Sequence, residues 1–299
     1  MVILSAMISS LSSYYSEASG KASMEDLDIN SARLIAKIST IAAFSYKKSV
    51  GQPFVYPKDE QSYCENFLNM MFSVPAESYE IDPEIVRSLE LMLILHSDHE
   101  QNCSASTVRV VGSTMANVYA SVASGILALW GPLHGGANQQ AVQMLQQIYE
   151  DGANIPKYIE MAKSNKSKFR LMGFGHRVYK TFDPRARILK KVFDRILTKL
   201  GINDPLLGLA IELEKVALED DYFIEKKLYP TLDFYTGIMY RAIGIPLNMF
   251  TVMFALGRVP GWIAQWKEMH EDTQQKIARP RQLFTGSKKR KYVPIAERV

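Results

Sequence analysis

Helical periodicity is the feature that most limits what this chain can fold into. Apolar residues recur three and four apart, and the alternation of a half-buried strand is almost absent. Within residues 30–48, Leu34, Ile35, Ile38, Ile41 and Ala42 fall on one helical stripe. The Asp-Pro pairs Asp82-Pro83 and Asp183-Pro184 join a capping carboxylate to a proline whose fixed φ suits a first helical turn. Behind the first, Ile85, Leu89, Met92 and Leu93 keep helical spacing and run into LHSDHE. Behind the second, Ile188, Leu189, Val192, Phe193, Ile196 and Leu197 form a stripe that ends at Gly201. Further helices are expected over 204–219, 231–243 and 246–256, and most of the 17 glycines and 13 prolines fall between such runs. No fixed-period repeat or low-complexity linker is visible. The expected fold class is all-α.

At 299 residues the chain buries a sizeable core, and 47% hydrophobic with 22% charged residues is a globular composition. A net charge of +4 is too mild to imply nucleic acid unless it is concentrated. It is concentrated only in GSKKRKY, residues 286–292, which reads as a solvated tail or as a contact for a phosphate-bearing partner. The two cysteines, Cys64 and Cys103, lack metal-type spacing and exclude a disulfide framework, so a reducing, intracellular compartment is expected. Residues 1–15 carry no Lys or Arg ahead of the apolar run, which makes a poor signal peptide. Residues 110–130 are long enough to span a bilayer, but they are rich in Ser, Thr, Asn, Gly and Ala. They read as one buried, closely packed helix. Neither a membrane nor a nucleic acid is expected as a partner.

Four of the five histidines, His96, His99, His134 and His176, lie in short polar or glycine-rich stretches at expected helix edges. His270, in KEMHED, reads as a surface residue. In LMGFGHRVYKTFDPRA, Gly173 and Gly175 flank Phe174 just before His176, a turn suited to presenting backbone N–H groups to an anion or nucleotide. It does not have the G-x-G-x-x-G pattern. Arg185 opens the next helix and reads either as a bidentate carboxylate clamp or as a solvated first-turn residue. Asp233 is a single acid in an apolar helix, either a base tuned by burial or a capping, ion-paired carboxylate. Arg258 and Arg279 stand beside Gly or Pro, where helices are expected to end and clefts to open. Arginines to hold a small polycarboxylate, histidines to donate hydrogen bonds and one acid to take a proton make a coherent set. No metal-ligand set and no Ser-His-Asp or Cys-His pattern is present.

Together, LHSDHEQNCSAST, GPLHGGANQQAV, MGFGHRVYKTFDPRA, LDFYTGIMYRAIG and ARPRQLFTG resemble the citrate synthases of the bacterial, type II kind. The resemblance is colinear from Met1 onward, and it implies a further N-terminal region ahead of a methionine that is internal in the family. It implies a two-domain helical fold, with residues 139–245 as the small domain and 1–138 plus 246–299 as a discontinuous large one. It implies condensation of acetyl-CoA with oxaloacetate and hydrolysis of citryl-CoA, the first step of the tricarboxylic acid cycle, by a cytoplasmic acyltransferase with no cofactor beyond the acetyl-CoA co-substrate.

By this resemblance Asp233 is the base, His134 bonds the thioester carbonyl, and His176 polarises and protonates the ketone. His99, Arg185, Arg258 and Arg279 bind oxaloacetate, Arg279 acting across a dimer, and His96 supports His99. Leu171, Met172, Gly173, Phe174 and Gly175 meet the CoA adenine. A homodimer or hexamer is implied, with the Ala/Ser/Gly-rich helix before Trp130 as the candidate for dimer packing.

His134 serves best as a neutral donor. It precedes a helix expected to start near Asn138, whose positive end lowers a histidine pKa, and residues 110–149 hold no Asp, Glu, Lys or Arg. Gly135 and Gly136 are expected to allow close substrate approach and hinge rotation. The alternatives are 2-methylcitrate synthesis from propionyl-CoA, since one methylene discriminates by only about 1–3 kcal/mol, and a non-catalytic helical interaction module.

Overall fold

The computed structural model describes residues 1–15, 23–77, 79–164, 166–179, 181–200 and 204–298. Gly201 and the side chain of Leu197, read above as the end of one apolar stripe, lie outside what is described. Among the described residues the secondary structure is helical with no strand, only two isolated bridges, Val74–Glu77 and Phe174–Pro230. Among these residues no helix is long and apolar enough to cross a membrane.

Thirteen α-helices are described, and one of them organises the rest. α13 (Phe250–Glu271) is buried nearly all round and packs against α2 (Met24–Ser49), α4 (Pro83–His96), α5 (Cys103–Gly112), α6 (Val118–Trp130) and α7 (Ala137–Glu150). A helix apolar on every side belongs at the centre of a large core. α1 (Val2–Ser10) buries Leu4, Ser5 and Ile8 against α2 and α6, and α3 (Tyr63–Phe72) covers α2 and α4. α8 (Ile155–Lys163) follows α7. A second set packs around α12 (Leu232–Ala242), which contacts α7, α9 (Pro184–Leu200) and α10 (Pro205–Glu219); the short α11 (Asp221–Glu225) sits against α10.

The expected start signals are used. Asp82 accepts from the Glu84 amide at 2.7 Å, Asp183 from the Arg185 amide at 2.9 Å and Asp204 from the Leu206 amide at 2.9 Å. Three expectations fail. The continuous helix over 110–130 is broken into α5 and α6, because Met115 takes a left-handed φ of 65° and Asn117 starts a new helix by accepting from the Ala120 amide at 2.9 Å. Gly125 then lets α6 approach α5, since a Cβ there would lie 2.6 Å from Val108.

The helix expected to stop at Leu256 instead runs to Glu271, straight through Pro260. An internal proline costs about 3 kcal/mol. Beyond it, Trp262, Ile263, Trp266 and Met269 are all buried, at about 1.5–3 kcal/mol each, so packing outweighs the local penalty. His270 is not a plain surface residue either: it is half-buried, its ring centroid 3.9 Å from that of Trp266.

Candidate active site

His99, His134, His176, Arg185, Asp233 and Arg258 line one cavity of about 900 Å³. They come from five places along the chain. His99 lies in the loop after α4 and His134 in the turn between α6 and α7. His176 precedes α9 and Arg185 opens it, Asp233 sits in the first turn of α12, and Arg258 is in mid-α13. Arg258 therefore sits inside a helix, not at the helix end expected from its Gly and Pro neighbours.

Asn102 starts α5 by accepting from the Ala105 amide at 3.1 Å, which leaves the preceding amide, that of Ser104, to meet His134. The Ser104 N–H meets His134 Nε2 at 3.2 Å and the Ser104 hydroxyl lies 2.9 Å from the same nitrogen. An amide N–H cannot accept, so Nε2 carries the lone pair and, in the neutral ring, Nδ1 carries the proton. Trp262 Nε1 donates to the Ser104 hydroxyl at 3.0 Å and fixes it from below. Burial, then the Arg258 charge, holds the His134 pKa below its ordinary value. The N-terminus of α5 thus meets the ring, in addition to the helix expected near Asn138, which starts at Ala137. Packing also requires glycine at 135, since a Cβ there would run into the Leu129 carbonyl.

In the same cavity, His176 Nδ1 accepts from the Val178 and Tyr179 amides at 3.0 and 3.3 Å, leaving Nε2 as the donor of the neutral ring. Its ring centroid lies 5.3 Å from that of His99, whose Nε2 is 3.2 Å from the Tyr179 hydroxyl. Burial, then the charges of Arg185, His176 and Arg258, lowers the His99 pKa. His96 does not hold His99. It is fully buried, bonds the Met92 carbonyl through Nδ1 at 2.7 Å, and accepts from Arg258 Nε through its own carbonyl at 2.5 Å. Burial drives the His96 pKa down to about 3, so it is an uncharged support for Arg258.

Arg185 is neither free nor fully solvated. It donates to the buried Asp183 from Nε at 3.1 Å and from Nη2 at 2.9 Å, and Asp183 also accepts from the Leu232 amide at 3.4 Å, tying α9 to the start of α12. Burial pushes the Asp183 carboxyl up, but its bonds from Arg185 hold it below the ordinary range. Arg258 is 2% exposed, and burial, then the Arg185 charge, pushes its pKa down to about 10. Its Nη1 has no hydrogen-bond partner among the described residues, an uncompensated buried donor on the wall of a cavity. Burial lifts the Asp233 carboxyl to about 6, against the opposing charges of Arg185 and Arg258.

Leu171–Gly175 does not line the cavity. Leu171 and Phe174 are buried, and the segment is pinned beside α12 by Gly175 N–H to Tyr229 O at 2.8 Å and Thr231 N–H to Gly173 O at 2.9 Å. Gly173 has φ +83° and a Cβ there would touch Phe234 at 3.0 Å, so the glycine brings His176 alongside the Asp233 helix. Arg279 lies in the exposed stretch after α13, outside the cavity. Three contributors escaped sequence reasoning: Ser104, Asp183 as a charge partner, and Tyr179. The Asn102 cap signal before CSAST was the clue to Ser104; nothing local pointed to Tyr179.

The family model described as "Citrate synthase, C-terminal domain" matches residues 1–281. Citrate synthase 1 of Mycobacterium tuberculosis is 55% identical over 298 residues, which is 100% of this chain and 69% of that protein. The crystal structure of citrate synthase from Pyrobaculum aerophilum superposes with a TM-score of 0.87 at 37% identity, over 99% of this chain and 73% of that one. Citrate synthase of Thermoplasma acidophilum, solved as a ternary complex with carboxymethyl coenzyme A and oxaloacetate, gives 0.84 at 35% identity, over 99% and 76%. The chain belongs to the citrate synthase family.

Proposed function

We propose that this protein condenses acetyl-CoA with oxaloacetate and hydrolyses the resulting citryl-CoA to citrate and CoA. The observation that carries the reading is the convergence of Asp233, His134 and His176 on one cavity that also holds the unpartnered Nη1 of Arg258. Asp233 takes a methyl proton from the thioester while His134 Nδ1–H bonds the thioester oxygen. The carbon so formed attacks the ketone carbon of oxaloacetate, and His176 Nε2–H protonates the ketone oxygen. His99, Arg185 and Arg258 hold the substrate carboxylates; water then cleaves the thioester and releases CoA.

The magnitudes are compatible with this division of labour. Raising Asp233 from 3.8 to about 6 reduces its mismatch with a carbon acid by about 3 kcal/mol. One preorganised donor to a developing oxyanion is worth about 3–4 kcal/mol more.

In this reading residues 139–245 close as a small domain over the large one and exclude water. The separate packing of α12 with α7, α9 and α10 supports that division, and Gly244, at φ +85°, lies in its second connection. Exposed Leu127 and Trp130 on α6 support a homodimeric or hexameric contact there, with Arg279 reaching the other copy's cavity and 171–175 meeting the CoA adenine. The reaction is cytoplasmic and opens the tricarboxylic acid cycle, in a type II enzyme. Initial rates with acetyl-CoA and with propionyl-CoA test the reading: a preference for acetyl-CoA of about tenfold or more is expected for one methylene. A preference for propionyl-CoA reassigns the product to 2-methylcitrate, and no turnover of either removes the catalytic reading.

A further inference from the structure

We propose that Cys103 is a thiol-modification site at which disulfides of the CoA type exchange, leaving a mixed disulfide that blocks the cavity. The inference rests on the function proposed above, which brings the sulfur end of CoA into that space. Cys103 is exposed, is the first residue of α5, and lines the same cavity as His134 and Asp233. The amide of the next residue, Ser104, meets His134 Nε2, so a group carried on Cys103 Sγ would stand beside the imidazole that must receive the thioester. A second observation calls for an anionic ligand group in this cavity: Arg258, which also lines it, is 2% exposed and keeps Nη1 without a hydrogen-bond partner among the described residues. At about 900 Å³ the space accepts a pantetheine-sized arm. Cys64 does not compete, being 2% exposed in α3 with its thiol pushed up to about 12 by burial.

The chemistry balances without a further oxidant. The Cys103 thiol gives its proton to solvent, and its sulfur attacks one sulfur of CoA disulfide. The S–S bond breaks, and the second CoA leaves as a thiolate that is reprotonated. A reducing thiol reverses the exchange by the same route.

The test incubates the native protein with CoA disulfide or with cystamine, with and without acetyl-CoA and in the absence of oxaloacetate, and reads intact mass and a peptide map. Expected are one CoA adduct on Cys103, formed about tenfold faster than the cystamine adduct because docking positions the disulfide, and slowed by acetyl-CoA. Cys103→Ser should gain no mass, and its rate, relative to its own untreated rate, should not respond to CoA disulfide. Dithiothreitol should remove both adduct and inhibition. No adduct at Cys103, or an adduct formed equally fast with cystamine and unaffected by acetyl-CoA, overturns the inference. Mass and protection are read without turnover, so failure of the proposed reaction shows separately, as absent CoA release from acetyl-CoA plus oxaloacetate.

Discussion

Replacing Asp233 by Asn should make the protein more stable and nearly inactive, and the gain in stability should depend on pH. The carboxyl titrates near 6 in the folded chain against 3.8 ordinarily. A carboxyl raised by folding contributes stability that is fully present below its unfolded value and is lost as pH rises through the folded one. The charges facing it from neighbouring elements are Arg185 and Asp183, at the start of α9, and Arg258 on α13. Arg185 and Arg258 favour the ionised form; Asp183 and burial oppose it. A raise of about two units corresponds to about 3 kcal/mol at pH well above 6. The amide of Asn keeps the shape and cannot ionise. Integrated over the two titrations, the stability of Asp233→Asn relative to the native chain should rise by about 2 kcal/mol between about pH 4.5 and about pH 8. Urea unfolding at the two pH values, with each midpoint multiplied by its m-value, measures that difference. An equal gap at both would mean that the carboxyl titrates near 3.8, and the tuned-base argument would be wrong.

Arg258→Met should raise the KM for oxaloacetate by about thirtyfold or more, because a buried charged hydrogen bond is worth about 2–5 kcal/mol. The ligand-free melting temperature should stay level or rise, since a buried guanidinium whose Nη1 has no hydrogen-bond partner among the described residues is removed, at the cost of its bond to the His96 carbonyl; a large drop would show that the guanidinium holds the core. Nitrogen NMR of labelled histidine should find His134 neutral at pH 7 with the proton on Nδ1; protonation of both nitrogens would contradict the Ser104 geometry. Gly261→Ala should cost about 3 kcal/mol of stability by overpacking, because its Cβ would lie 1.8 Å from the Ser97 carbonyl; a neutral melting curve would show that α4 and α13 are not held this close.

Signals that act within a turn were legible in the sequence, and signals that depend on the rest of the molecule were not. Asp82, Asp183 and Asp204 act on amides two residues away, so the helix starts they mark appear as expected. The α5–α6 break hinges on a left-handed Met115, which no glycine announced in a charge-free run. The length of α13 was hidden because Pro260 is a local breaker, whereas the burial that overrides it comes from helices distant in sequence.

The site divides in the same way. Residue types and glycine neighbours picked out His99, His134, His176, Arg185, Asp233 and Arg258, which the fold gathers in one cavity. Which group supports which was not legible. His96 braces Arg258 through its carbonyl, and Ser104 orients His134 across thirty positions of chain. Such pairings exist only after the helices have packed.

The most direct measurement follows acetyl-CoA and oxaloacetate together, recording loss of the thioester absorbance and citrate formed, for the native chain and for Asp233→Asn. One citrate should appear for each thioester lost in the native protein, and the variant should fall by about 10² to 10⁴, the range for a lost general base. A variant within a few-fold of the native rate, or thioester loss without citrate, would contradict the claim that this carboxylate starts a carbon–carbon condensation.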